Sequence, residues 1–274
     1  MKTILVATDY SPAASNAVEY AAQLARSLGS TLILFHSYKM SIHASNSLVT
    51  SKGSSKLYQR SEKQLADLAA KTSKRHGISV KHALREGDPV DAIKSYMKYN
   101  VAEMVVMGIE SNLKEYKLFG NTTTAVIKLM QFPLLVVPND IHYDGVQKVM
   151  YACETSYLKD NCELGVMKRF VNELKAHLEV FHVVTKDEDE RSLDDMERVM
   201  ARILHDVDHE FKYVNNAKVG DGIREGLERF PADLLIMIPH RVGFFEGLTK
   251  GSQTSSMTVK TRVPLLVIPN EKAC

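Results

Sequence analysis

Charge of one sign, paired cysteines and long apolar runs are all missing from this sequence. Its 274 residues carry 35 Lys and Arg against 33 Asp and Glu, a net charge of +2. The two signs are interspersed, with no basic run interleaved with aromatics, so no charge excess recruits nucleic acid or a membrane surface. Cysteine is scarce: Cys153, Cys162 and Cys274, an odd number with no CxxC spacing. That excludes a disulfide framework and fits a reducing compartment. No apolar stretch approaches the roughly 20 residues that span a bilayer. The apolar start, Met1 to Ala7, is too short for a signal peptide and is broken by Asp9 and Pro12. These absences lead us to expect a cytoplasmic protein. What is present is the ordinary globular balance, 45% hydrophobic and 25% charged, enough to fill two modest cores.

The most informative positive feature is self-similarity. Pro133-Leu-Leu-Val-Val-Pro138-Asn139 returns as Pro264-Leu-Leu-Val-Ile-Pro269-Asn270, an offset of 131. Ala102-Glu-Met-Val-Val-Met-Gly108 returns as Ala232-Asp-Leu-Leu-Ile-Met-Ile238 at 130, and Gly120-Asn121 as Gly251-Ser252 at 131. Ile4-Leu-Val-Ala-Thr-Asp9 pairs with Val149-Met-Tyr-Ala-Cys-Glu154 at 145. The change in offset places about fifteen extra residues early in the first copy. Ser41 to Lys56, Ser-rich and containing Gly53, is the natural site and reads as a mobile loop or lid. The copies divide as residues 1–139 and 146–270, joined by a polar stretch containing Gly145.

Each copy alternates short apolar runs with helical patterns. Thr3–Thr8 is an uninterrupted apolar run of the kind buried on both faces of a sheet. Ser11 and Pro12 announce a helix, serine as N-cap and proline at the first helical position, and Gly29 ends it. Strands follow at Thr31–Ser37, Ile78–Leu84, Glu103–Met107 and Leu134–Val137. Helices are expected over Leu57–His76, from the Gly87-Asp88-Pro89 cap to Tyr99, and over Gly120–Met130. This order gives an α/β fold: two tandem flavodoxin/Rossmann-like domains, each a five-stranded parallel sheet in order 3-2-1-4-5 with helices on both faces. We expect two open sheets lying side by side. Ligands of such sheets bind beyond the carboxyl ends of the strands, where the strand order switches. The candidates there are Thr8, Asp9 and Ser37 on the first two strands and Gly108 on the fourth, with Glu154 and Ile238 in the second copy.

After the fourth strand comes Gly108-Ile-Glu-Ser111, then Gly120-Asn121-Thr122-Thr123 and a helix. Glycine permits close backbone approach, and a Gly-Asn-Thr-Thr turn at a helix start offers free N–H groups, hydroxyls and the positive dipole end, a cradle for phosphates. Asp9 can accept from a ribose, hold a divalent metal, or simply cap its helix. Thr8-Asp9, Leu34-Phe-His36, Gly87-Asp88-Pro89, Val105-Val-Met-Gly108, Gly120-Asn121 and the closing Pro-Leu-Leu-Val-Val-Pro together resemble the universal stress protein family, in two copies. ATP-binding members show G-x2-G-x9-G-S/T. Here Gly108 and Gly120 match the first and third glycines, Ser111 replaces the second, Asn121 replaces the Ser/Thr, and the spacing is one residue short.

The resemblance implies a non-enzymatic stress-response protein that binds ATP or a related adenine nucleotide, with Mg or Mn, in the first domain only. In the second copy Ile238 puts a Cβ where the phosphate would pass. The resemblance also implies that Pro133–Pro138 and Pro264–Pro269 pair within the chain as an intramolecular pseudo-dimer. A homodimer and an unidentified protein partner docking at the lid are further expectations. The alternatives are a nucleotide-independent interaction or scaffold module and a slow ATPase using Asp9 or Glu110. Elsewhere, His36 reads as a satisfied core histidine and Cys153 as a buried structural thiol. His205 and His209 read as neighbours on one face of a helix.

Overall fold

The computed structural model describes residues 1–38, 51–100, 102–110, 132–154, 162–186, 190–238 and 263–269. Half one comprises β1 (Thr3–Ala7), α1 (Pro12–Leu28), β2 (Thr31–Tyr38), α2 (Ser51–His76), β3 (Val80–Glu86), α3 (Pro89–Tyr99), β4 (Met104–Ile109) and β5 (Leu134–Pro138). Half two comprises β6 (Lys148–Ala152), α4 (Cys162–Leu174), β7 (His177–Val184), α5 (Glu190–Ile203), β8 (His209–Asn215), α6 (Val219–Arg229), β9 (Leu234–Met237) and β10 (Leu265–Val267).

The expected caps are in place. Ser11 Oγ accepts from Ala14 N, and Gly29 adopts φ 61°, letting its amide close the last turn of α1. Asp88 caps α3 by accepting from Val90 N at 3.0 Å. Two expectations are corrected. Helix α2 begins at Ser51, six residues before Leu57, so Ser51–Lys56 is not loop; the remainder of the supposed lid lies outside the described residues. Once a helix is nucleated, each added residue gains a hydrogen bond, and this outweighs the roughly 1 kcal/mol cost of Gly53. Strand β3 starts at Val80, two residues later than the apolar pattern suggested. The helix expected over Gly120–Met130 falls outside the described residues.

All ten strands form one sheet in the order β3-β2-β1-β4-β5-β10-β9-β6-β7-β8. Each half keeps the expected 3-2-1-4-5 order with parallel pairing. The two open sheets are not merely adjacent. They are hydrogen-bonded edge to edge, because β5 and β10 pair antiparallel, Leu265 with Val136, Leu266 with Leu135 and Val267 with Leu134. Leu135 and Leu266 are repeat equivalents (266 − 135 = 131), so an approximate two-fold axis passes between them. The pairing converts two apolar strand edges into one buried ladder. It also turns the carboxyl ends of the two halves toward opposite edges of the sheet.

Apolar layers lie on both faces. One gathers α1, α2, α4 and α5 residues such as Leu24, Leu65, Phe170 and Met200; the other gathers Ile93 of α3 and Ile223 of α6 against Phe35 and Phe181. The repeat extends to backbone capping. Glu103 accepts the Lys2 amide ahead of β1, and Asp233 accepts the Gln147 and Lys148 amides ahead of β6.

The connection between halves is tied to α1. Asn16 Nδ2 donates to the carbonyls of Pro138 (2.9 Å) and Ile141 (2.8 Å), while its Oδ1 accepts from His142 Nδ1 (2.9 Å). Tyr143 donates to Ser27 Oγ and sets its ring edge-on to Tyr20. Because part-buried carbonyls lose their donor in Asn16→Ala, we expect that variant to be destabilised by about 1–3 kcal/mol in urea unfolding.

Candidate functional site

The carboxyl end of β1 is a pair of tight turns. Thr8 Oγ1 accepts from Tyr10 N at 3.1 Å, and Asp9 Oδ1 accepts from Ser11 N at 3.0 Å. Such side-chain-to-backbone bonds two residues on are what Thr and Asp favour at turns. They lead into the Ser11 cap and the N-terminus of α1. Thr8 is buried, and its carbonyl accepts from His36 Nδ1 at 2.7 Å, which places the proton on Nδ1. His36 is therefore a satisfied histidine, as the sequence suggested.

The Asp9 carboxylate remains exposed. Burial pushes its carboxyl up, but hydrogen bonds from Ser11 and its own amide, with the nearby His36, outweigh this and hold it below the usual value. It is an anion at neutral pH. A fixed anion at this point suits a hydroxyl donor or a divalent cation rather than a phosphate.

Strands β1 and β4 pair in register, Val6 with Val106, and β2 flanks β1 with Ala7 opposite Phe35. Thr8, Asp9, Ser37 and Gly108 thus share one edge of the sheet, at the point where the strand order reverses. Ser111, Gly120, Asn121, Thr122 and Thr123 lie outside the described residues. Gly108 has a structural reason of its own. A Cβ there would stand 2.1 Å from the Ala13 carbonyl oxygen and 2.9 Å from Ala14 N. Glycine at 108 lets the first turn of α1 press against β4. Beyond it, Glu110 accepts from Asn139 Nδ2 at 2.7 Å, joining the ends of β4 and β5.

One residue at this edge escaped the sequence reading. Tyr10 sits at φ 66°, a left-handed conformation that a bulky side chain rarely adopts. Its ring centre is 4.8 Å from that of His36, and its buried hydroxyl has no hydrogen-bond partner among the described residues. Burial, then the Glu62 carboxylate, raise its hydroxyl's pKa. The only hint in the sequence is an aromatic between Asp9 and Ser11.

Half two repeats the scaffold without the same groups. His182 Nδ1 donates to the Cys153 carbonyl at 2.9 Å, the counterpart of His36 and Thr8. Ile238, at the position of Gly108, is buried. Glu154, the counterpart of Asp9, is half-buried. The Cys153 thiol is pushed up to about 12 by burial, so it is an un-ionised structural group, as expected. His205 and His209 do not share a helix: α5 ends at Ile203, His205 lies in the following turn and His209 opens β8. A turn and then β8 take over where the i, i+4 spacing of the two histidines had suggested one helix. Among the described residues no group of His, Cys, Asp and Glu is arranged to hold a metal, and no helix is long and apolar enough to cross a membrane.

Residues 1–138 match the profile of the universal stress protein family. That is half of the chain. This chain belongs to the universal stress protein family. The whole length superposes on the crystal structure of a universal stress protein from Archaeoglobus fulgidus DSM 4304, with TM-score 0.76, 17% identity and 98% of each chain covered. It also superposes on a functionally unknown protein from Pseudomonas aeruginosa PAO1, with TM-score 0.61, 12% identity, and 98% of this chain and 92% of the other covered. At these identities the likeness speaks to fold. It extends that fold over half two, which the family profile does not reach. A comparison with curated proteins gave no match.

Two outcomes follow for this universal stress protein. Gly108→Ala forces a Cβ into the backbone of Ala13, and urea unfolding should register a loss of about 1–3 kcal/mol. Cys153 should resist iodoacetamide at pH 8 in the folded protein and react in urea, as read by peptide mass spectrometry.

Proposed function

We propose that half one binds ATP or a related adenine nucleotide as a regulatory ligand, and that the chain acts by binding rather than by catalysis. The observation that carries this reading is the shared sheet edge at the β1/β4 order reversal. There an exposed, ionised Asp9 stands beside the capped N-terminus of α1 and the end of β4. In open α/β sheets this is where nucleotides lodge. On this reading Asp9 accepts from the ribose or holds Mg or Mn, with Thr8 and Ser37 lining the same edge. Ser111 and Gly120–Thr123 enclose the phosphates. Asp9 and Glu110, the carboxylates a hydrolytic role would use, are each held by a hydrogen bond, from Ser11 and Asn139. That supports a binding role over a hydrolytic one. We take residues 1–139 and 146–270 as the two domains, the second without a nucleotide, since Ile238 occupies the position of Gly108.

A specific observation favours a second reading, a nucleotide-independent interaction module: close packing against Ala13 accounts for Gly108 with no ligand at all. Native mass spectrometry of freshly purified protein separates the two, because a co-purified nucleotide belongs only to the first. In calorimetry with ATP and magnesium we expect one site per chain. Asp9→Ala and Gly120→Val should each weaken it about tenfold or more. No heat with the wild type would remove the nucleotide reading.

A further inference from the structure

Half two departs from half one at the base of its second strand. Glu179 of β7 stands where β2 has Ile33, at the offset of 146 that also relates Phe35 to Phe181 and His36 to His182. Glu179 is 3% exposed, and its Oε2 is buried with no hydrogen-bond partner among the described residues. The register sets it directly opposite Glu210 of β8. Like charges in that position repel, and a buried carboxylate oxygen without a donor is costly.

Other charged groups surround this pair. Lys148 comes from β6, in register with His177. On β7 itself, His177 Nδ1 meets Asp208 Oδ2 at 2.8 Å and its Nε2 meets Glu210 Oε1 at 3.2 Å. Two carboxylate acceptors on one imidazole require both nitrogens to donate, which is the cationic form. From β8, Lys212 donates to Glu210 Oε2 at 2.7 Å and lies 5.3 Å from the centre of the Phe230 ring, just beyond α6. Asp233, ahead of β9, holds the backbone amide of Lys148. The corresponding positions in half one are Thr3, Thr31, Ile33, Lys81 and Ala83, which form no such cluster.

We propose that this cluster makes half two acid-responsive: proton uptake at Glu179 and His177 tightens the β6–β7–β8 ladder, and proton loss loosens it. A neutral Glu179 no longer repels Glu210 and no longer buries a charge. A cationic His177 ties Asp208 to Glu210. The directions of titration agree. Burial raises the Glu179 carboxyl above its ordinary 4.5, Glu210 adds to this, and Lys148, Lys212 and His177 oppose it. Burial lowers His177, but its bonds to Asp208 and Glu210 outweigh that and raise it above 6.5. Both groups hold protons more tightly folded than unfolded. Their stabilisation is complete below those ordinary values and is lost as pH rises through the raised folded ones. Glu210, lowered chiefly by Lys212, works the other way, below its ordinary 4.5.

Amide hydrogen exchange read by mass spectrometry on the full chain tests this. After correction for intrinsic rates, peptides covering β7 and β8 should exchange several-fold more slowly at pH 5.5 than at pH 7.5, while those covering β2 and β3 change less. Glu179→Ile, which restores the residue of half one, should slow exchange at pH 7.5 and reduce the pH dependence, and adding His177→Gln should remove most of what remains. If that variant fails to fold, Glu179→Gln serves, as a neutral side chain of the same shape. Equal pH dependence in both halves, or a variant lacking both Glu179 and His177 that keeps the wild-type dependence, would overturn the proposal.

Discussion

The antiparallel pairing of β5 with β10 is the constraint on which the rest of the molecule depends. Leu134, Leu135 and Val136 face Val267, Leu266 and Leu265, every one of them 4% exposed or less. Without this ladder each half would expose an apolar strand edge. With it, ten strands become one sheet and the two halves are related by a dyad between Leu135 and Leu266. Antiparallel pairing also reverses the strand direction. The carboxyl-end crevice of half one and its counterpart in half two therefore open on opposite edges of the sheet.

The shared frame is kept while its occupants change. Both halves cap the first strand with a carboxylate, Glu103 or Asp233, and both brace the end of that strand with a histidine, His36 or His182. The packing around them differs. In half one Phe35 meets Tyr96 edge-on at 5.3 Å. In half two the equivalent of Tyr96 is Gly226, whose missing Cβ makes room for the Phe181 ring, and Phe230 supplies a second ring 6.4 Å away. Gly108 against Ile238 and Ile33 against Glu179 are trades of the same kind. One half keeps a carboxylate exposed at its crevice, and the other buries one beneath its sheet.

Much of the fold was legible because its signals are local. Continuous apolar runs marked strands covered on both faces, and Ser11-Pro12, Asp88-Pro89 and Gly29 marked helix ends by the geometry each side chain imposes. The recurring Pro-Leu-Leu-Val motif marked both the repeat and the strand that joins the halves. Where the reading slipped, helix propagation or tertiary contacts decided. Helix α2 extends back through Gly53, and the stretch holding His205 and His209 turns into an edge strand of the sheet. To Gly108, read as room for a phosphate, the fold adds a neighbour that no local pattern shows, the backbone of Ala13. Tyr10 gave no periodic signal, since its interest lies in a backbone angle and a buried hydroxyl.

The sequence by itself determined the fold class, the tandem repeat and the strand that links its copies, because hydrophobic period and turn chemistry act over a few residues. Tertiary structure alone decided which groups meet: Asn16 with the connection between halves, Gly108 with α1, Glu179 with Glu210 and His177. Such encounters depend on strand register and helix approach. These bring together residues far apart in the chain, and no local pattern encodes them.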